Sequence, residues 1–141
     1  MNKISRIGIE ETSDKYDLCG KVIGLDMKVH STLGPGFLES VYKNALASEL
    51  DRLGMKSEAE KPVAVFYEGQ VVGAFTADLL VNGGLIVEIK AVQCLAKAHE
   101  VQLVNYLVAT GIDEGLLLNF GAERLEYKKK FRLARHEQPS F

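Results

Sequence analysis

The chain has 141 residues, 47% hydrophobic and 26% charged, which is one ordinary globular domain and too little for two well-buried cores. Seventeen Lys and Arg against nineteen Asp and Glu leave a net charge of −2, so no global positive field draws in a polyanion, and any nucleic-acid contact needs a local patch. Cys19 and Cys94 form no CxxC pair, which argues against a zinc knuckle or disulfide scaffold and leaves two buried thiols as the expectation.

The chain opens with Glu10, Glu11, Asp14 and Asp17 rather than the apolar core of a signal peptide. No run approaches the length of a membrane span, so a soluble, cytoplasmic protein with no membrane partner is expected. Residues 1–14 lack clear periodicity and read as a flexible arm, residues 15–136 as a single domain, and 137–141 as a tail. From about Lys15, the steps Leu18, Val22, Leu25 and Val29 predict a helix to about Thr32, ended by Gly34-Pro35-Gly36. A second helix should run from Phe37 to about Leu53, with Phe37, Val41, Ala45, Leu46, Leu50 and Leu53 on its core face. Strands are expected at about 63–67 and 70–81 around the turn Glu68-Gly69, and at Leu85 to Ala91 after Asn82-Gly83-Gly84. A third helix spans about Leu95 to Thr110. The apolar run Gly115 to Phe120 has the character of a strand buried on both faces, and Arg124 to Arg132 can add a more polar one. A strand–helix–strand crossover makes the 116–120 strand parallel to the third strand, while tight turns make the first three antiparallel. The predicted class is α/β, a mixed four- or five-stranded sheet flanked by helices.

Three ionisable groups, Asp78, Glu88 and Lys90, interrupt otherwise apolar strands. With a three-residue turn Asn82-Gly83-Gly84, Val81 meets Leu85, Leu79 meets Val87, Ala77 meets Ile89 and Phe75 meets Ala91, giving one wholly apolar face. The other face then pairs Leu80 with Ile86, Asp78 with Glu88, and Thr76 with Lys90. A one-residue slip would mix the faces, so burial favours this register. Two carboxylates directly opposite repel, and something must offset that. A divalent cation would, since Mg²⁺ takes one or two carboxylates plus waters. The alternative is a structural network in which Lys90 neutralises both acids.

The spacing Asp78, nine residues, Glu88-Ile89-Lys90 resembles the catalytic signature of the PD-(D/E)XK nuclease superfamily, although Ala77 stands where the naming Pro would be. Gly36-Phe37-Leu38-Glu39-Ser40-Val41-Tyr42 is similar to the GxxExxY motif that names one branch of it. Gln102-Leu103-Val104-Asn105-Tyr106 resembles the QxxxY motif of the RecB and lambda-exonuclease-like nucleases. The resemblance runs from about Asp17 to Arg132 and implies a restriction-endonuclease-like core and Mg²⁺- or Mn²⁺-dependent hydrolysis of phosphodiester bonds, with DNA preferred to RNA as substrate. It implies that Asp78, Glu88 and the Ile89 carbonyl hold the metal, that Glu39 reaches it, and that Lys90 orients the attacking water. Gln102 and Tyr106 would position nucleic acid or Lys90, and Tyr42, one turn after Glu39, would contact substrate. The residues also admit plainer roles: Glu39 as a carboxylate at a helix start, Tyr42 as core, and His99 as a structural histidine.

Residues 124–136 carry +5 while the rest of the chain carries −7. On a strand, Lys128, Lys130 and Arg132 would form a ladder that can contact phosphates. Lysines that protect an edge strand from aggregation are the equal alternative. One small domain offers little surface for a duplex, so a homo-oligomer or protein partner is expected. The rival function is a catalytically silent nucleic-acid-binding or protein-interaction module on the same fold. No GxSxG, P-loop, HExxH or Rossmann pattern occurs.

Overall fold

The computed structural model describes residues 3–132 of the chain, with side chains from residue 18 onward. Eight elements follow in order: α1 (Lys3–Leu33), α2 (Glu39–Arg52), β1 (Ser57–Tyr67), β2 (Gln70–Val81), β3 (Leu85–Lys90), α3 (Lys97–Thr110), β4 (Glu114–Asn119) and β5 (Glu126–Phe131). The strands form one sheet in the order β1-β2-β3-β4-β5. The β3/β4 pair is parallel and the other three are antiparallel, as the crossover through α3 and the short turns require. Helices α1 and α2 bury one face, where Val22, Tyr42, Leu46 and Leu50 meet Leu79, Val87, Ile89, Leu116, Leu118 and Phe120. On the other face, Leu103 and Leu107 of α3 meet Ala77, Leu80, Ile86 and Leu117. The two central strands β3 and β4 are therefore covered on both sides, which is why their sequences are almost continuously apolar. Among the described residues, no helix is long and apolar enough to cross a membrane.

Several elements depart from the sequence-based expectation. Helix α1 begins at Lys3 rather than Lys15, so the segment assigned to an arm is helical in backbone. Extending an existing helix adds hydrogen bonds without a new nucleation step, and no proline interrupts residues 3–33. The expected tail, 137–141, lies outside the described residues. Strand β1 starts at Ser57, six residues earlier than expected; Pro62 is tolerated because β1 is an edge strand with one row of donors unpaired. Cys19 is buried as expected, whereas Cys94 is exposed in the loop before α3.

One buried group stands without a partner. Asp26 of α1 is fully buried, and neither carboxyl oxygen has a hydrogen-bond partner among the described residues. Burial pushes its carboxyl well above the ordinary value. A raised folded-state value makes its contribution to stability fully present below the unfolded value near 3.8 and lost as pH rises toward the folded one. Asp26→Asn should therefore stabilise the protein at pH 8, by an amount on the order of 1–3 kcal/mol, and flatten the dependence of its melting temperature on pH. Thermal melts of both proteins at pH 5 and pH 8 check this.

Candidate active site

The β2–β3 hairpin adopts the three-residue turn, with Val81 opposite Leu85, Leu80 opposite Ile86 and Leu79 opposite Val87. Asn82 and Gly83 take the left-handed backbone that this turn needs. The ladder stops at Leu79–Val87. Beyond it, the carboxylates take over the backbone donors: the Asp78 N–H donates to Glu88 Oε2 at 2.8 Å, and the Ile89 N–H donates to Asp78 Oδ2 at 2.7 Å. The strands are thus joined through the two acids instead of through each other.

This parting overturns the expected face pattern. Leu79, Val87 and Ile89 do lie under α1 and α2. Ala77 instead packs with Leu80 under α3, and Phe75 stacks on Tyr106 of α3 at a centroid distance of 3.5 Å. Side-chain alternation along β2 therefore breaks at Asp78. The neighbouring strand shows the matching irregularity. The β1/β2 register runs Ala59–Leu79 and then Lys61–Ala77, skipping Glu60 opposite Asp78, and Glu60 has a φ of 52°. A non-glycine residue in that region is strained, and such strain persists where surrounding contacts impose it.

Glu88 is buried, and its carboxyl is pushed up to about 7, first by burial and then by the charge of Asp78. Lys90, two residues further along β3, pulls the other way. Lys90 is half-buried and makes no ion pair with either acid among the described residues, so the structural salt-bridge alternative has no contact to support it. On α3, burial raises the Tyr106 phenol, and Glu88 and Asp78 add to this, while the nearby Gln102 side chain lowers it. Tyr106 is thus half-buried within the field of the two acids, whereas Gln102 is exposed. His99 is structural, since its Nδ1 accepts the Ala96 N–H at 3.0 Å and caps α3.

Helix α2 supplies the opposite wall. A cleft of about 250 Å³ is lined by Glu39, Ser40, Lys43, Asp78 and Ile89. Glu39 is the first residue of α2 and exposed. Among the described residues, no three His, Cys, Asp or Glu side chains converge into a cage for a metal, so Glu39 faces the cleft without joining Asp78 and Glu88 directly. Tyr42, assigned to substrate from the motif, is fully buried. Its hydroxyl donates to the Gly34 carbonyl at 2.5 Å and accepts the Phe37 N–H at 3.1 Å, while its ring stacks on Phe120 at 4.6 Å. It anchors the loop that delivers Glu39 and does not reach a substrate from there.

The basic ladder is also changed. Lys130 pairs with Glu100 of α3 at 2.6 Å, and Arg132 makes a two-pronged contact with Asp113 at 2.8 and 3.0 Å. Lys128 lies near the same Glu100. Because α3 packs against β4 and β5, its acid meets these side chains before solvent does. They stand two strands from Glu88, about 10 Å across the sheet.

The model of one protein family matches residues 16–131, nearly the whole chain. The chain belongs to the PD-(D/E)XK nuclease superfamily. Among solved structures, a crystal structure of a protein designated SSO0001 is similar in fold, with a TM-score of 0.51 and 19% identity over 66% of this chain and 50% of that one. The chain thus spans about half the length of that protein. No curated protein matches it. The mixed five-stranded sheet flanked by helices is the restriction-endonuclease-like core of the superfamily.

Lys43, which lines this cleft, and its partner Glu60 were missed in the sequence. Lys43 donates to Glu60 Oε1 at 2.8 Å and sits in the field of Asp78 and Glu39; that hydrogen bond, followed by the nearby carboxylates, raises its ammonium against the effect of burial. The signal for Lys43 was available, since it lies one turn after Glu39 on the same side of α2. No sequence signal marks Glu60.

Proposed function

We propose that the chain is a divalent-metal-dependent nuclease acting on nucleic acid, with DNA preferred to RNA, within the GxxExxY branch and with the QxxxY arrangement of RecB and lambda-exonuclease-like enzymes. The observation that carries this reading is the parting of β2 and β3 around Asp78 and Glu88, with Lys90, unpaired among the described residues, two residues on.

The donor set suits Mg²⁺ or Mn²⁺. Each carboxylate commits one oxygen to a backbone N–H, which fixes its orientation and leaves its second oxygen for a cation. Asp78, Glu88 and the Ile89 carbonyl would hold the ion, with Glu39 acting through water. When bound, the cation supplies Lewis-acid polarisation of the phosphate and lowers the pKa of a hydrolytic water. Lys90 contributes a fixed ammonium beside the acids, where it stabilises the charge that grows on the phosphate oxygens and orients the attacking water. Tyr106, stacked on Phe75, would close the α3 side of the site and limit where the sugar-phosphate chain can lie.

Incubation with Mn²⁺ and labelled single- and double-stranded DNA and RNA tests the reading; binding without cutting of any of them would support the silent module instead. A pH dependence accompanies it. Glu88, raised to about 7, holds a proton at pH 6 that a cation must displace. Mn²⁺ affinity by calorimetry should fall about tenfold per pH unit below 7. In metal-free protein the sign reverses: the contribution of Glu88 to stability is full below its ordinary value of 4.5 and lost as pH rises through about 7. Mn²⁺ affinity that is equal at pH 6 and pH 8 contradicts the assignment of Glu88.

A further inference from the structure

Lys43 is one turn into α2 with its side chain mostly buried, at 16% exposure, and its ammonium is at the mouth of the cleft shared by Glu39, Ser40 and Asp78. Its one ion pair among the described residues is with Glu60, across from α2 to the edge strand. Within the field of Asp78 and Glu39, the ammonium thus pairs with neither of them among the described residues. An ammonium has three donors, and Glu60 accepts one. Two remain. Glu60 holds this position with a left-handed backbone, at the point where the β1/β2 register skips it opposite Asp78. The irregularity in one strand thus holds the acid that aims the lysine, and the irregularity in the next holds the acid beside it.

We infer that Lys43 is a second phosphate-contacting cation of this cleft and that Glu60 is its positioning residue. The inference rests on the nuclease reading above. A phosphodiester drawn to the Asp78–Glu88 end of the cleft lies between Lys90 on β3 and Lys43 on α2, so the two ammonium groups approach it from opposite walls. A buried stem and a fixed partner reduce the rotamer freedom that a free surface lysine would lose on binding. Glu60, by contrast, is largely exposed and faces no phosphate route except through Lys43.

The test measures binding apart from turnover. In a Lys90→Ala background, anisotropy of a fluorescein-labelled oligodeoxynucleotide, single-stranded and duplex, is titrated in Mn²⁺ at several salt concentrations. Lys43→Gln should weaken binding by about tenfold and reduce the salt slope by about one, as expected for one lost phosphate contact. Lys43→Arg, which keeps the charge, should restore most of the affinity. With Lys90 intact, Lys43→Gln should raise KM more than it lowers kcat. Glu60→Gln should weaken binding in the same direction and add nothing to Lys43→Gln; tighter binding by Glu60→Gln overturns its positioning role. Unchanged affinity and salt slope in a folded Lys43→Gln overturn the inference while the parent protein still cuts. A parent protein that cuts no nucleic acid overturns the nuclease reading itself.

Discussion

Lys90→Ala is expected to lower metal-dependent cleavage by about 10²–10³-fold while leaving the melting temperature near that of the wild type. Lys90 belongs to neither apolar cluster and makes no ion pair among the described residues, so its removal opens no cavity and breaks no salt bridge. What it removes is the fixed ammonium next to Asp78 and Glu88. Asp78→Asn should reduce activity further. The amide oxygen can still accept the Ile89 N–H, so the strands stay joined, but half of the carboxylate pair is lost. That substitution also removes the charge that raises Glu88, whose carboxyl then falls toward its ordinary value. Melts with and without Mn²⁺ separate the possibilities. Mn²⁺ should stabilise the wild type and Lys90→Ala, and Asp78→Asn much less. If Lys90→Ala melts several degrees lower and Mn²⁺ stabilises nothing, the lysine is a structural counter-ion and the enzyme reading fails.

Much of this site was legible in the sequence because burial sorts residues by face. Leu79, Val81, Leu85 and Val87 could share an apolar face only in one register, and that register is observed. The pattern failed one residue later. Alternation assumes an unbroken ladder, whereas Asp78 and Glu88 carry side-chain oxygens able to replace it, and the chain turns over there. Nothing local to Ala77 or Phe75 announces that they face α3. Glu60 was hidden for the same reason, since its backbone is set by the strand beside it. Tyr42 was found by motif but given the wrong role, because a motif fixes which residue is present and not which of its neighbours it bonds. The basic ladder drawn from Lys128, Lys130 and Arg132 had no sequence signal for its partners, because Glu100 and Asp113 are distant in sequence and their contacts could not be read from charge counts.

Gly121→Ala should lose about 4 kcal/mol of stability, more than 10 °C in melting temperature, together with activity measured below that point. The reason is packing, not backbone freedom. A Cβ at Gly121 would lie 2.6 Å from the Ala91 carbonyl carbon, 2.5 Å from the Val92 nitrogen and closer still to the Val92 oxygen. All three are main-chain atoms that cannot rotate aside. They are this close because Asn119, fully buried, uses one oxygen to accept both the Val92 N–H at 2.9 Å and the Gly121 N–H at 3.0 Å. Its amide donates to Glu126 Oε1 at 2.7 Å, and the same oxygen accepts the Leu95 N–H at 3.2 Å. The Phe120 N–H donates to the Lys90 carbonyl at 2.9 Å. Separating the two backbones to admit a methyl group breaks the shared acceptor and moves the segment that directly follows Lys90. Gly115→Ala is the control, since its Cβ would first meet the Leu103 side chain, at 2.9 Å, rather than main-chain atoms. That variant should lose less stability and keep the site. A Gly121→Ala protein that melts with Gly115→Ala would show that the loop yields freely, and that Asn119 does not fix the position of Lys90.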